Sequence, residues 1–506
     1  MTTLNDLTDY DTQLQPNAVD IRTEYLEPIT SSTYRHTFRL DQTGYLDTNS
    51  MLVFKLQAVG GDNDNKCRVN NWNGALGGIK RVIFQIGDNI INDVQDVYKY
   101  ATMKNMNMQP QMRNNYLGHY LGNQLWLDTQ KSANDDPNEF AAETTSSYAD
   151  ANGTRTGAVV VNHKRSGTDF GALGDGANFC INSHRIGTDA STNHQYGIPL
   201  GMLIPALKGQ KIPLFLFDKQ RILLTFEFNT ADKYCNNLKA AKINYTTGGV
   251  NTALCNTADV IPVDVRMVVD YIVMPTDVQN ELIQQTMQQG GYKLEFYDVV
   301  NVEKNVVSGT NGQIQEIEHR IGQNNREVHN IIMWKETSHN ALTRSDDNTK
   351  GGALFGQYQK CQGFGREEYN CNIDGRDEFD HFVYNPISQY NELSAVLGND
   401  YQVSRPMYCN DDNTSCSALT SLGAGLLGVQ KPLALNLRNG EPVVVGGGRQ
   451  IGNYPIIWKW KRDCHSDVIN DNQRDDQNVK VNYFCEVSRV ANIMSTGKGT
   501  NVVVSY

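Results

Sequence analysis

The stretch Ile261–Gly291 reads IPVDVRMVVDYIVMPTDVQNELIQQTMQQGG, and it decides how the rest of the chain is interpreted. Its first part, 261–274, carries an apolar side chain at every second position from Val263 to Val273. That period predicts a strand with one face in a core. The intervening positions mix charged and aliphatic residues, so we expect the other face of the strand to be partly exposed to solvent or to lie against a partner.

A helix is predicted directly after this strand. Pro275 stops the strand, and Thr276–Gln279 has the residue pattern of a capping box. The glycine pair at 290–291 ends the helix, and a new strand-like run, Tyr292–Val300, follows at once. The apolar residues of the helix are Val278, Leu282 and Ile283. A long strand, a short helix and a fresh start near mid-chain indicate the joint between two β domains.

Length and composition limit the classes of protein. The chain has 506 residues, 39% of them hydrophobic, which is enough for two or three domains with cores of their own. A net charge of −11 argues against a surface that binds the phosphate groups of nucleic acids, so we expect no dedicated nucleic-acid-binding segment. No basic segment with an apolar core opens the sequence, and a signal peptide is therefore not expected. The most apolar stretch, Ile212–Phe228, contains charged residues at 218, 219 and 221, so no membrane-spanning segment is predicted.

Ten cysteines are scattered along the chain without a Cys-x-x-Cys pair. Zinc knuckles and redox sites need close pairs, because two thiolates must converge on one centre. We therefore predict isolated reduced thiols in an intracellular product. Pairing within long loops, for example of Cys409 with Cys416, stays open as an alternative.

The first half of the chain has the pattern of one β unit over 21–275. Residues 1–20 are polar and aperiodic, which is typical of a flexible arm. Two polar stretches, 128–195 and 229–259, are predicted to be long loops, and loops of that length are usually functional or elaborated insertions.

The clearest local pattern in this half is a hairpin over Ile79–Val94. Two apolar runs flank Gly-Asp-Asn at 87–89, a turn sequence that tolerates positive φ. A helix is expected behind the hairpin, capped near Asn92 or Asp93. Its buried residues are predicted to be Val94, Val97, Tyr98 and Ala101.

The second half, 292–506, repeats this organisation behind the linker helix at 276–291. Strand-like runs are separated by a long irregular region over about 336–430. The sequences at 264–270 and 478–484 are loosely alike, and each lies near the end of its half. This is a weak indication of duplication.

Patterns that could carry chemistry are each outweighed by a structural interpretation. The glycine-rich run 443–452 lacks dinucleotide spacing and a following Lys-Ser or Lys-Thr, so a hairpin turn is favoured. The carboxylates of 374–380 are interrupted by Arg376 and Phe379, which favours a solvated loop over a calcium site. No nucleophile elbow and no His-Glu-x-x-His is present. We therefore predict no catalytic, cofactor-binding or metal residues, although distant carboxylate pairs for glycoside hydrolysis stay open. Three glycosylation sequons begin at Asn152, Asn244 and Asn413, and they matter only on the secretory route.

Several segments resemble the double jelly-roll major capsid proteins of tailless icosahedral DNA viruses, the lineage of polinton-like viruses, virophages and adenovirus hexon. Arg22–Glu27 is similar to the N-terminal entry of that family, and 78–91 resembles its early hairpin. Tyr196–Pro205 and Leu224–Phe228 resemble the run into the last strands of its first roll. The helix at 276–289 lies where the family links its two rolls.

The resemblance implies an all-β protein of two consecutive antiparallel eight-stranded jelly-roll sandwiches, with short helices and long surface loops. It also implies a homotrimeric, pseudo-hexagonal capsomer that tiles a shell around a DNA genome. The implied partners are neighbouring capsomers, penton and minor capsid proteins, with indirect contact to the genome or an inner layer. The protein is then expected in the virion, assembled inside the host cell. The alternatives are a secreted carbohydrate-binding or adhesive β-sandwich protein and a glycoside-active sandwich enzyme.

Overall fold

The computed structural model describes most of the predicted sandwich regions and part of the loops between them. The described residues are 20–59, 68–69, 74–106, 118–122, 149–150, 153–154, 186–191, 193–208, 211–217, 220–231, 234–236, 259–310, 313–337, 367–397, 432–438, 447–464, 478–496 and 499–505. The predicted arm at 1–20, apart from Asp20, and most of the loops predicted at 128–195 and 229–259 lie outside these ranges.

Strands of the first half form two facing antiparallel sheets. In chain order they are β1 (Asp20–Leu26), β2 (Thr30–Ser31), β3 (Arg35–Leu40), β4 (Tyr45–Leu46), β5 (Met51–Val59), β6 (Arg68–Val69), β7 (Ile79–Ile86), β8 (Asn89–Gln95), β9 (Ala149–Asp150), β10 (Gly153–Thr154), β11 (Gln195–Pro199), β12 (Ile212–Pro213), β13 (Ile222–Phe228), β14 (Cys235–Asn236) and β15 (Asp259–Val273). One of the two main sheets has the order β11-β5-β15-β4-β12, with β1 paired to β15, and the other has the order β2-β3-β13-β7-β8. Outside these sheets, β9 pairs with β10 and β6 pairs with β14 as two separate two-stranded ladders. The α-helices among the described residues are α1 (Val97–Met106), α2 (Gly118–Leu121), α3 (Leu200–Leu203), α4 (Thr276–Gln288) and α5 (Pro386–Leu397).

The second half forms two further antiparallel sheets. Its strands are β16 (Tyr292–Val306), β17 (Gln313–Ile321), β18 (Glu327–Thr337), β19 (Glu367–Ile373), β20 (Arg376–Asp377), β21 (Leu433–Asn436), β22 (Arg449–Gln450), β23 (Ile456–Cys464), β24 (Val479–Thr496) and β25 (Gly499–Ser505). The larger sheet has the order β16-β24-β18-β21, with β22 and β25 attached, and the smaller has the order β17-β23-β19-β20. When the two-residue strands are set aside, the described residues contribute eight strands to each sandwich, the number that the resemblance implies.

Strand β15 confirms the strand predicted over 261–274 except at one place. Every second side chain from 265 to 271 is buried. The prediction puts Val263 on this face, but a β-bulge opposite β5 falls at Asp264, whose φ is +53°. The extra residue shifts the phase of the strand. Upstream of the bulge it is Val260, and not Val263, that is buried in the core.

Helix α4 lies where the sequence predicts it, but the predicted capping box is wrong. The backbone N–H of Gln279 donates to the carbonyl oxygen of Pro275 (3.1 Å), and its side-chain amide donates to that of Met274 (2.8 Å). The helix therefore begins one position earlier than a Thr276 cap requires, and Gln279 holds the end of β15. Leu282 is buried in the first core, as predicted.

The hairpin predicted at 79–94 is confirmed as β7 and β8, but the helix cap predicted behind it is wrong. The turn residue Gly87 has a φ of +60°, which glycine adopts at no steric cost. Asn92 and Asp93 are strand residues of β8, and the chain turns into α1 at Asp96, with a φ of +50°. The side chain of Asn92 is buried and bonds the second half instead.

The region 336–430 contains more structure than predicted. Strand β19 pairs with β23 inside the smaller sheet of the second sandwich, and α5 follows it. Glu367, Tyr369, Cys371 and Ile373 are all buried at alternate positions of β19. A glutamate and two asparagines conceal this period in the sequence, and the irregular assignment was therefore wrong for 367–397.

One long ribbon connects the two cores. Strands β16 and β24 pair without interruption from Tyr292↔Ile493 to Val306↔Val479. At the 306/479 end the ribbon's side chains belong to the second core. At the other end Leu294 belongs to the first core, as Phe296, Ala491 and Ile493 do. The two sandwiches thus share buried apolar surface, which makes their relative position part of the fold.

Candidate functional site: the junction between the two sandwiches

The ribbon end that enters the first sandwich also carries most of the buried polar side chains that link distant parts of the chain. Strand β24 is buried continuously from Val481 to Ser488, because one face lies on its own core and the other meets α1 and the segment before β22. Because this strand is covered on both faces, any charged side chain on it is buried, and a buried charge needs a partner.

Glu486 is the centre of the largest polar cluster. Lys104 Nζ of α1 lies 2.7 Å from Glu486 Oε1, and Arg438 Nη2 lies 3.0 Å from Oε2. The Tyr100 hydroxyl and the Asn330 amide also donate to this carboxylate. Burial alone would raise the pKa of Glu486, but the two cations and the donors hold it down at about 2. One carboxylate therefore ties α1 of the first sandwich to three segments of the second.

A second buried cation of α1 is satisfied by the second sandwich. Lys99 is almost fully buried and pairs with Glu336 of β18, while Asp96 lies 3.8 Å away. Burial opposes its charge, but the neighbouring carboxylates, Glu336 foremost, raise the pKa of Lys99 above its ordinary value. The first and second halves therefore depend on each other for charge balance.

A third link joins two sheet edges. Strand β8 ends one sheet of the first sandwich, and β16 ends one sheet of the second. Asp298 accepts from Asn92 Nδ2 (2.8 Å) and from Arg489 Nη1 (2.6 Å), and Arg489 also donates to the carbonyl oxygen of Ile91 (2.9 Å). The Arg489 side chain thus bonds a backbone carbonyl at the edge strand β8 that would otherwise be free to pair with another strand. The backbone N–H of Ala206 completes the link by donating to Asn92 Oδ1 (3.2 Å).

Beside this link lies an open cleft of about 370 Å³ between β8 and β16. Its lining combines aliphatic side chains with the paired groups Asp298 and Arg489 and with Arg326. The lining residues are Ile90, Asp93, Gln95, Asp298, Val299, Val300, Asn301, Arg326 and Arg489. The charged groups of the three polar links bond one another, an arrangement that holds two bodies together.

Candidate chemical sites from the sequence are hairpins and turns where the structure describes them. Asp374 and Gly375 have positive φ and form the two-residue turn between β19 and β20, and Asp377 pairs with Lys459 (2.9 Å). Of the glycine-rich run, 447–452 is described: it contains β22, and the Gly448 N–H donates to Glu327 (2.8 Å). Within the described ranges, no group of three or more His, Cys, Asp or Glu side chains could hold a metal ion. The sequons at 152, 244 and 413 lie outside those ranges.

The cysteines that can be described are free. Cys235, Cys371 and Cys485 are buried free thiols, and burial raises the pKa of Cys485 to about 12. The side chains of the other seven lie outside the described residues. The prediction of reduced thiols is thus met at these three positions and stays a prediction at the rest.

Large apolar side chains are exposed around the first strand. Ile21 and Tyr25 lie on the outer face of β1, an edge strand paired only with β15, and Ile29 follows it. Their exposed fractions are 58%, 70% and 60%. Clustered exposed apolar groups are typical of protein contact surfaces, whereas single ones are not informative. We call Ile21, Tyr25 and Ile29 the β1 patch.

Comparison with solved structures places this arrangement among known folds. The chain is similar to the capsid protein in a quasi-atomic description of the PBCV-1 virus capsid, with 12% identity, a TM-score of 0.55, and coverage of 98% of this chain and 100% of that one. It is also similar to the structure of the Sputnik virophage (10% identity, TM-score 0.51, coverage 99% and 91%) and to the Faustovirus major capsid protein (9%, 0.50, 97% and 94%). The fold is the double jelly roll of viral major capsid proteins. No protein-family model and no curated protein matches the sequence.

The double jelly roll accounts for the junction. The links at Glu486, Lys99 and Asp298 hold the two rolls in a fixed relation. Nothing local in the sequence reveals these links, because each includes a bond between residues more than 190 positions apart. The sequence signal that exists is indirect. Strand β24 alternates apolar and polar residues, and its Asn and Glu occupy the positions that face solvent in an ordinary half-buried strand.

No helix in the described part of the chain is both long and apolar enough to cross a membrane.

Proposed function

We propose that this chain is the major capsid protein of a tailless icosahedral DNA virus, and that it acts as a structural subunit and not as an enzyme. The observation that carries the proposal is the span of the similarity. Both rolls and the junction align with capsid proteins over 98% of this chain and the full length of the PBCV-1 protein.

The capsomer is proposed to be a homotrimer. Two similar rolls per chain give a trimer six similar corners, so that a threefold particle has a nearly hexagonal outline and can tile a closed shell. In this arrangement 21–275 and 292–506 are the two rolls, with 276–291 as their linker. The rigid junction supports the proposal, because a tile with a loose internal hinge would not fix the angle between neighbouring capsomers.

The proposed partners follow from that role. They are neighbouring capsomers, penton proteins and minor capsid proteins, with the genome or an inner layer reached indirectly. The proposed location is the virion. The β1 patch supports a contact role, because a soluble monomer gains nothing by exposing Ile21, Tyr25 and Ile29 together. A secreted adhesin is not favoured, since the similar structures are capsid proteins.

Native mass spectrometry and negative-stain electron microscopy of the purified protein test the proposal together. We expect a particle of three times the mass of the chain at micromolar concentration, with a hexagonal outline in projection. A stable monomer or dimer would reject the trimer, and a trimer with an elongated, fibre-like outline would favour the adhesive alternative.

A further inference from the structure

The two rolls are built on matching strand orders. In one sheet of each roll, β1 pairs with β15 as β16 pairs with β24, and β1 and β16 each form an edge. In the other sheet, the order β3-β13-β7-β8 of the first roll corresponds to β17-β23-β19-β20 of the second. Strands β8 and β20 therefore occupy the same edge of their rolls. The next described α-helix along the chain is α1 after β8 and α5 after β20.

Within the chain, the β8 edge of the first roll meets the β16 edge of the second. Asn92 of β8 donates to Asp298 of β16 (2.8 Å), and Arg489 of β24 donates to a backbone carbonyl of β8 (2.9 Å). Helix α1 extends the contact, because its Lys99 pairs with Glu336 of β18. This contact joins two different edges. The edges that correspond to them in the other roll are β1, which matches β16, and β20, which matches β8.

Residues 376–384 extend the β20 edge along β19. Two backbone hydrogen bonds between Val383 and Tyr369 (2.8 and 3.3 Å) hold the end of this segment against β19. Tyr384 follows at once, and Ile387 lies in the first turn of α5. Their exposed fractions are 57% and 76%. We call Tyr384 and Ile387 the α5 patch. Both the β20 edge and the β1 edge thus carry clustered exposed apolar side chains, which are typical of protein contact surfaces.

We propose that the β1 patch of one copy of this chain packs against the α5 patch of a second copy. This contact repeats, between chains, the contact that the β8 and β16 edges make within the chain. An interface between two different surfaces is heterologous, and it closes into a ring when the rotation at each contact divides a full turn. Three copies then give six rolls joined edge to edge. The inference rests on the proposed trimer and names the two surfaces that form it.

Two single variants and their mixture test the pairing of the patches. Tyr25→Asp disrupts the β1 patch and leaves the α5 patch intact, whereas Ile387→Asp does the reverse. Each variant alone should sediment as a monomer at micromolar concentration, because every contact of its ring lacks one patch. An equimolar mixture should form a mixed one-to-one dimer in native mass spectrometry. In that dimer the intact β1 patch of Ile387→Asp meets the intact α5 patch of Tyr25→Asp, and the next contact of the ring is disrupted.

Ile314→Asp is the matched control. Ile314 is 62% exposed on β17, the opposite edge of the sheet that contains β20, so its substitution should leave the trimer intact. Circular dichroism of each variant checks that the fold is retained, as the exposure of the three side chains leads us to expect.

The failure of this inference differs from the failure of the proposed capsomer. If Ile387→Asp forms trimers as readily as Ile314→Asp, or if the mixture stays monomeric, the pairing of the two patches is overturned while the native trimer stands. A Tyr25→Asp variant that dissociates beside an unaffected Ile387→Asp variant would likewise overturn it, and would assign the β1 patch to a different surface. A native chain that forms no trimer would instead reject the capsomer itself.

Discussion

At the scale of single residues, Glu486 has the largest predicted effect on stability. Glu486→Gln keeps the shape of the side chain but leaves Lys104 and Arg438 without their shared counter-charge. Breaking a buried pair by removing one partner costs about 3–5 kcal/mol. Denaturant unfolding should therefore show a large loss of stability. Glu316→Gln is the matched control, because its pair with Lys461 is exposed and is worth at most about 1 kcal/mol. Equal losses in the two variants would contradict this account of the junction.

His319 predicts how stability depends on pH. Its Nδ1 lies 2.7 Å from the Tyr483 hydroxyl in the second core, and burial, with a smaller effect of Lys304, lowers its pKa from 6.5 to about 4. Between these values the unfolded chain takes up a proton that the folded chain does not. The contribution of His319 is therefore complete above pH 6.5 and falls as the pH drops towards 4.

The variant His319→Gln should reduce the slope of stability against pH in that window, measured by urea midpoints at several pH values. Some slope should remain, because the pKa values of His36 and His329 are also lowered by burial. An unchanged slope would show that His319 titrates alike in both states.

At the scale of elements, the turn after α4 gives a matched pair of glycines. Gly290 and Gly291 have φ values of +87° and +118°. A Cβ at Gly290 would meet no atom within 4 Å, whereas one at Gly291 would lie 2.6 Å from the carbonyl oxygen of Ile493. Gly290→Ala should cost only the strain of positive φ, about 1–2 kcal/mol. Gly291→Ala should cost clearly more, because the backbone of β24 must move. Melting temperatures of the two variants check this, and equal values would place the turn away from β24.

The same scale shows how far sequence reasoning reaches. Strand β15, helix α4 and the β7–β8 hairpin were predictable, because each buries one face in a local period of two or 3.6 residues. The bulge at Asp264 was not, since one extra residue depends on the partner strand β5. Strand β19 was missed because it buries Glu367 against Lys335 and Trp460, partners that the sequence places far away. The polar junction was missed for the same reason, as its bonds are tertiary throughout.

At the scale of the whole molecule, the ribbon of β16 and β24 makes two rolls into one body. Its ends lie in different cores, and Glu486 of β24 pairs with Lys104 of the first roll. Beside the ribbon, Glu336 of β18 pairs with Lys99 of the same roll. Neither roll can therefore separate without exposing apolar surface and unpaired charge. In the proposed capsomer, the contacts between chains must then lie on outer faces. Among the described residues, the β1 patch is such a face, at the edge of the first roll.

Tyr25 tests that assignment against a tyrosine of equal exposure. Tyr25 and Tyr454 are each 70% exposed, but Tyr25 lies on the same outer face as Ile21, whereas Tyr454 lies in the turn before β23. Tyr25→Asp should shift the proposed trimer towards monomer at micromolar concentration, because burying a carboxylate in an apolar contact is unfavourable. Tyr454→Asp should leave the oligomer unchanged, and both variants should remain folded. Sedimentation velocity measures the shift. If Tyr25→Asp forms trimers as readily as Tyr454→Asp, the β1 patch lies outside the trimer contact, and shell assembly of the same variant then decides whether it joins neighbouring capsomers.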